Sequence, residues 1–259
     1  MFGEDVKAIA MSRTVLMGQA QGAKSETDEA LGLPEPKKEI NRGGRRFPLT
    51  RDFDAVIKKH DVLAVLSQRE TRRTYTEESM TRDELAFLLW AAMGTREETG
   101  GKKRQVPSGG GRYPLELYVF VNRVDGLAAG LYHYLALSHE LEYVKPLEEQ
   151  EKRITEAVRG KSFVGHAPLF FIWTAVPYRG EWHSGTRAMK PILLDAGHSC
   201  QNLYIACEAI GCGMCPVASY LQAESDRLLC LHHGSSPSEL DEYVIYGAAL
   251  GRVCQSMDK

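Results

Sequence analysis

Residues 192–210 read ILLDAGHSCQNLYIACEAI, and the fold turns on this stretch. Leu193, Ala196, Cys200, Leu203, Cys207 and Ile210 recur at alternating spacings of three and four, the period of one helical face. Leu194, Tyr204, Ile205, Ala206 and Ala209 make the other faces apolar too. A helix apolar nearly all round is covered on most sides, so this one belongs either in a domain core or in a subunit interface. Its stripe asks for a partner helix.

Working outward, Thr81 and Glu84 form a capping box, and Leu85, Leu88, Leu89, Ala92 and Met93 keep helical spacing up to Gly94, where a left-handed stop is expected. Another helix is expected from Asp54 as its cap, carrying Val56, Ile57, Val62, Leu63, Val65 and Leu66. Leu115, Leu117, Val119 and Val121 alternate along one face of a strand whose other face begins with Glu116. Residues 131–135, 140–144, 169–176 and 243–250 read as further strands, with Asp125, Gly126 and Gly130 marking a turn. Helices and strands interleave without regular βαβ units, which favours an α+β architecture over a doubly wound parallel sheet. Residues 18–50, with Pro34, Pro36 and the run Arg42 to Arg46, lack periodicity and read as an arm or linker.

The chain has 259 residues, 43% of them hydrophobic and 25% charged, enough to bury a core without covalent staples. A net charge of −2 lacks the basic excess of a nucleic-acid binder. No run approaches the roughly 18 apolar residues of a membrane span. Met1 to Ala10 lacks a basic stretch leading into an apolar one, so the expected address is the cytoplasm. The six cysteines, at 200, 207, 212, 215, 230 and 254, are expected to be free thiols.

Four groups of residues could carry chemistry. Pro107, Ser108, Gly109, Gly110, Gly111 and Arg112 form either an ordinary turn or a close cradle for a ligand; without a following Lys and Ser or Thr it is not a Walker loop. Arg69, Thr71, Arg72 and Arg73 form either a phosphate site or a solvated basic surface, with Arg69 and Arg73 spaced for one side of a helical turn. Cys212 and Cys215 have the spacing of zinc and thiol-redox motifs, with Cys200, Cys207, His198, Cys230, His232 and His233 as the nearby candidate ligands. They follow a helix where a redox pair should follow a strand, so structural thiols are expected, no metal site is assigned, and a metal-binding or thiol-switch protein is the rival reading. Asp195, His198 and Ser199 are triad residue types crowded on one helix without a nucleophile elbow.

In order, the Arg-rich segment, Trp90 to Gly94, residues 107–118 (PSGGGRYPLELY), residues 130–134 (GLYHY), residues 194–198 (LDAGH) and residues 201–204 (QNLY) resemble the nitroreductase superfamily in its SagB-type dehydrogenase branch. The resemblance covers residues 51–259, and the arm of residues 1–50 resembles, around Ser25 to Pro36, an extension of some members. It implies a nitroreductase-like α+β fold, a mostly antiparallel sheet flanked by helices. It also implies a homodimer joined along the long helix, with FMN sites built from both subunits.

On that resemblance Arg69, Glu70, Thr71 and Arg73 hold the FMN phosphate and ribityl chain, and Gly251 and Arg252 add a further contact. Pro107, Ser108, Gly109 and Gly110 reach the flavin from the partner subunit. Pro216, Val217, Ala218 and Ser219 face the ring, with a backbone N–H near Ala218 on N5. Arg112, Tyr113, Trp182, Arg187 and Tyr220 are candidates for the substrate side, with His183 as the proton carrier.

Two departures stand out. Glu70 replaces a second arginine and would repel phosphate unless it turns away, and His183 and Ser184 stand after Trp182 where azoline-oxidising members have Lys and Tyr. The expected activity is therefore two-electron hydride transfer through flavin N5 on a small-molecule or peptide substrate, with NAD(P)H as a candidate donor. Azoline dehydrogenation in peptide biosynthesis, or service as a partner subunit in such a complex, are the alternatives.

Overall fold

The computed structural model describes residues 13–15, 26–100, 103–231 and 238–254. The amino-terminal stretch read for a leader, Ser25 of the arm, and His232 and His233 lie outside the described residues. The helices are α1 (Val62–Gln68), α2 (Arg82–Met93), α3 (Gln150–Ala157), α4 (Ser162–Gly165), α5 (Tyr178–Ser184), α6 (Met189–Ala209) and α7 (Gln222–Leu228). The strands are β1 (Arg46–Pro48), β2 (Leu115–Val121), β3 (Gly130–Leu135), β4 (Glu140–Lys145), β5 (Leu169–Ala175), β6 (Cys212–Val217) and β7 (Tyr243–Arg252). They form one sheet in the order β1-β4-β3-β2-β5-β7-β6, with every neighbouring pair antiparallel.

The central strand β2 is buried along its whole length, because both faces of the sheet are covered. Leu115, Leu117, Val119 and Val121 enter the larger core, which they share with α2 and α6. Tyr118 and Phe120 enter a smaller core closed by α3, α4 and α7. The period-2 reading of this strand therefore separates two cores. The capping box of α2 is present, with Thr81 Oγ1 accepting from the Glu84 N–H at 3.1 Å and Glu84 accepting from the Thr81 N–H at 2.8 Å. Against α2 lies α6, fastened by Ser199, which accepts from Trp173 Nε1 at 2.8 Å and donates to the Ala92 carbonyl at 2.7 Å. The Ser199 hydroxyl is spent on packing and is not a nucleophile.

Three local expectations change. The first helix starts at Val62 with Asp61 as its cap, and Asp54–Val56 is only a turn. The Lys58 and Lys59 N–H groups both donate to the Ala209 carbonyl, so the end of α6 takes the donors that a helix from Asp54 would need. Gly94 leaves α2 at φ −59° and ψ 157°, not left-handed; glycine is required there because a Cβ would lie 2.6 Å from Trp90 Cδ1. Cys212–Val217, not assigned as a strand from the sequence, is strand β6, and Pro216 fits it because β6 is the last strand of the sheet, its outer side bridged by Thr71 at Met214.

Ahead of β1, the chain is stitched to the sheet through buried charge. The Ile40 N–H donates to Glu116 at 2.9 Å, and the Arg42 and Gly44 N–H groups donate to the two oxygens of Glu142 at 2.9 and 2.8 Å. The Arg42 guanidinium reaches Tyr118 Oη at 2.6 Å and Glu242 at 2.8 Å. Glu116 also binds Arg179 of α5 and His133 Nε2, the latter at 2.8 Å. Burial opposes ionisation of Glu116, but the Arg179 guanidinium and His133 outweigh it and hold the carboxyl at about 2. Burial likewise opposes charge on His133, yet Glu116 and the neighbouring Glu142 raise it to about 9, and the same imidazolium lowers Glu142 to about 2.

These shifts set the pH window of stability. The two carboxylates contribute above about 4.5 and lose that contribution as pH falls toward 2. His133 contributes fully below about 6.5 and loses it as pH rises through 9. Guanidinium midpoints should therefore peak between those limits, and His133→Gln should flatten the alkaline limb. Arg179→Met, which strands a buried carboxylate, should cost about 3–5 kcal/mol in the same titration.

Candidate active site

After α1 the chain runs extended across the edge of β6, with Thr71 bridging Met214 and the Arg72 N–H donating to the Met214 carbonyl at 3.0 Å. Alternation along an extended chain puts Arg69, Thr71 and Arg73 on one side. This replaces the helical turn expected for Arg69 and Arg73, and the grouping survives because both periods bring positions four apart together. Glu70 falls on the opposite side and pairs with Arg72, so it does not join the three.

Arg42, Arg51, Arg72, Arg112, Arg179 and Arg252 each hold a carboxylate, whereas Arg69 and Arg73 hold none among the described residues. The Arg69 guanidinium lies 4.9 Å from the ring centre of Tyr204, whose hydroxyl is 2.7 Å from that of Thr71. Arg73 stands beside the Cys215 thiol, which burial pushes up and Arg73 partly offsets. Pro216 and Val217 complete β6, and Ala218 and Ser219 are exposed just past its last ladder pair, Val217 with Gly247. The strip and the 216–219 segment thus share one sheet edge.

A second group gathers at the other end of α6. Asp195 Oδ1 accepts the Gly109 N–H at 3.1 Å, and the Ser108 hydroxyl accepts the Tyr113 N–H at 2.9 Å. Pro107 and Ser108 lie with Tyr113 and Asp195 around one small cleft. Gly109 is pressed on Pro191, where a Cβ would lie 2.8 Å from Pro191 Cβ, and Gly110 takes φ +64°. Facing this turn, α5 carries Trp182 and His183, and the Arg112 guanidinium sits 5.4 Å from the Trp182 ring centre. Residues 27–35 lie over both: Glu29 pairs with His183, Glu35 with Arg112 at 3.2 Å, and the Leu33 carbonyl accepts from Trp182 Nε1 at 3.1 Å. Sequence reasoning weighed Asp195 only as a triad member and passed over Glu29, Glu35 and Tyr204. A charged residue between Ile192 and Ala196 on the buried face of α6 was the available signal for Asp195.

Other expected residues are placed elsewhere. Arg252 is engaged by Glu84 at 2.9 Å, by Glu78 at 3.7 Å and by the Ser79 carbonyl at 3.1 Å, so its charge is already shared, unlike that of Arg69 and Arg73. Gly251 is a packing glycine, since a Cβ there would lie 2.5 Å from Pro168 Cδ. Tyr220 packs against the smaller core and donates to the Val244 carbonyl at 2.9 Å, and exposed Arg187 reaches, among the described residues, the Ser184 carbonyl, so neither joins the group at Arg112. Cys212 and Cys215 stand three apart on a strand and therefore face opposite ways. No metal-ligand group of three or more His, Cys, Asp or Glu occurs among the described residues.

The architecture is thus an antiparallel sheet with a long helix along one face, a basic strip at the edge strand and a glycine turn near the far end of that helix. The nitroreductase family model matches residues 66–251, and the chain belongs to that family, whose members are FMN-dependent oxidoreductases. Two similar proteins carry the name putative nitroreductase. MJ1384 of Methanocaldococcus jannaschii is 33% identical over 174 residues, which are 67% of this chain and 84% of that protein. A crystal structure from Ralstonia eutropha JMP134 superposes with a TM-score of 0.67 at 24% identity, covering 86% of this chain and 96% of the other. The fold is also similar to a chain of the Escherichia coli microcin synthetase McbBCD complex with truncated pro-MccB17 bound, with a TM-score of 0.60, 16% identity and coverage of 97% and 95%. No helix among the described residues is long and apolar enough to cross a membrane.

The cysteine geometry has a direct readout. Burial pushes the Cys212 thiol up to about 12 and raises Cys215 too, while Cys230 and Cys254 are exposed. Titration with a thiol reagent at pH 8 should therefore modify two thiols in the native protein and six after denaturation, with zinc making no difference.

Proposed function

We propose that the chain binds FMN at the Arg69, Thr71 and Arg73 strip and uses it, as a homodimer, for two-electron oxidoreduction of a small-molecule or peptide substrate with NAD(P)H as donor. One observation carries this reading: two arginines flanking a hydroxyl on one side of an extended strip, neither neutralised by a described carboxylate. Such a set fits a phosphate dianion, because guanidinium forks match phosphate oxygens and their charge is not already spent. When bound, FMN supplies hydride chemistry at N5. The chain's own part is to hold the phosphate at the strip, to present the Pro216 to Ser219 backbone to the ring, and to bring up the groups that meet substrate.

Support for the dimer comes from α6. Leu193 and Leu194 are 51% and 54% exposed, and Gly197, His198 and Gln201 continue that outward stripe. Nothing lies within 4 Å of a Cβ placed at Gly197, although glycine inside a helix costs roughly 1 kcal/mol relative to alanine. A partner helix crossing there would account for both features. Asp195 and Tyr204 are about 14 Å apart along the axis, from the rise of about 1.5 Å per residue. Two-fold pairing of antiparallel α6 helices would bring the glycine turn of one protomer toward the basic strip of its partner.

A second reading, oxidation of azolines in a peptide, is favoured by the likeness to the microcin synthetase chain, which extends across 97% of this chain and so beyond the family match. It predicts turnover of a thiazoline-containing peptide with His183 in place of Lys and Tyr.

The FMN reading is tested by reconstitution. The protein should retain FMN and reduce a nitroaromatic with NAD(P)H, and Arg69→Ala and Arg73→Ala should each lower FMN affinity by about 10-fold to 100-fold, the worth of a charged hydrogen bond. Unchanged retention would remove the strip from the site. In sedimentation velocity the wild type should run as a dimer, and Gly197→Arg as a monomer of undiminished thermal stability.

A further inference from the structure

Between the glycine turn, α5 and the start of α6 lies a cavity of about 110 Å3, lined among others by Gly109, Gly110, Arg112, His183, Ser184 and Asp195. Asp195 is 5% exposed and uses Oδ1 on the Gly109 N–H; the Ser108 hydroxyl also favours its charged form, while its buried Oδ2 makes no close hydrogen bond among the described residues. A buried carboxylate oxygen without a donor is uncommon in folded proteins, and here it belongs to a residue on a cavity wall. Across the cavity, Arg112 is held on Trp182 and already receives a carboxylate, that of Glu35. His183 receives a second, that of Glu29. Both acids come from the segment ahead of β1 and are about half exposed, at 45% and 42% of their side-chain surface. Ion pairs that exposed contribute little, so a ligand can replace them.

We propose that this cavity binds a small carboxylate bearing an adjacent N–H, the shared chemistry of a free α-amino acid and of the carboxyl-terminal residue of a peptide. The ligand carboxylate takes Arg112 from Glu35, and its N–H donates to Asp195 Oδ2. Glu35 is the carboxylate that the ligand displaces from Arg112. Glycine at 110 keeps the cavity open, since even a Cβ there would lie 3.1 Å from His183 Cδ2. This deepens the reading above, because it names a substrate class for the cavity beside the turn assigned to the flavin.

The test is calorimetric titration of the full-length protein, with and without FMN, using N-acetylglycine, glycine, N-acetylglycinamide and acetate. N-acetylglycine or glycine should bind, acetate more weakly, and N-acetylglycinamide not at all. Binding of glycine alone assigns the free amino acid, and binding of N-acetylglycine alone assigns the peptide terminus. Arg112→Gln should weaken binding at least 10-fold, and Glu35→Gln should strengthen it severalfold, a gain that misfolding cannot produce. Absence of binding by both N-acetylglycine and glycine, or equal binding by N-acetylglycinamide, would overturn the proposal. A protein that holds FMN and ignores all four probes defeats this inference alone; one that binds N-acetylglycine but never FMN defeats the flavin reading alone.

Discussion

Glu116 is the point on which the architecture hangs. Its carboxylate is buried on the central strand, and it stays ionised there because Arg179, His133 and the Ile40 N–H converge on it. Those partners come from α5, β3 and the segment ahead of β1, three parts of the chain far apart in sequence. Hydrophobic burial is non-directional and would hold them together in many arrangements, whereas a buried carboxylate accepts only one. Because Arg179 sits on the same short helix as Trp182 and His183, the orientation of the cavity wall descends from that single buried charge.

The long helix α6 plays a different part. One side fills the larger core with Ile192, Ala196, Cys200, Leu203 and Cys207, and its two ends carry the polar contacts of the site, Asp195 toward the glycine turn and Tyr204 toward the basic strip. A rigid helix fixes the separation of those two groups better than any loop could, and it leaves an outward stripe uncovered. A helix of this length has faces enough to fill a core on one side and to leave another side exposed.

Elements governed by local chemistry were readable in the amino acids. The capping box of α2, the alternation in β2 and the stripe of α6 each depend on residues near one another in the chain, so their spacing is their structure. What could not be read depends on distant partners. Asp54 and Asp61 are equally good caps by type, and only the contact of Lys58 and Lys59 with the end of α6 decides between them. Strand β6 has glycine and proline where a strand should have branched residues, and it is tolerated because it lies at an edge. Glu116, Glu142 and Arg179 have the composition of a surface and are buried because they have one another. Arg69, Thr71 and Arg73 stand out by residue type, whereas the charge of Arg252 alone could not reveal its ion pair with Glu84.

The bridge between Thr71 and Met214 has a consequence for the molecule in a crowded solution. An edge strand offers a row of unpaired donors and acceptors, which makes it a template for pairing with another chain. On β6, Pro216 interrupts that row and the Thr71 and Arg72 backbone covers part of what remains, with Gly213 admitting the Arg72 side chain so closely that a Cβ would lie 2.6 Å from it. The basic strip is therefore also a guard rail. If it lifted, the sheet would gain an uncovered border, and colloidal stability would fall together with any ligand held on Arg69 and Arg73.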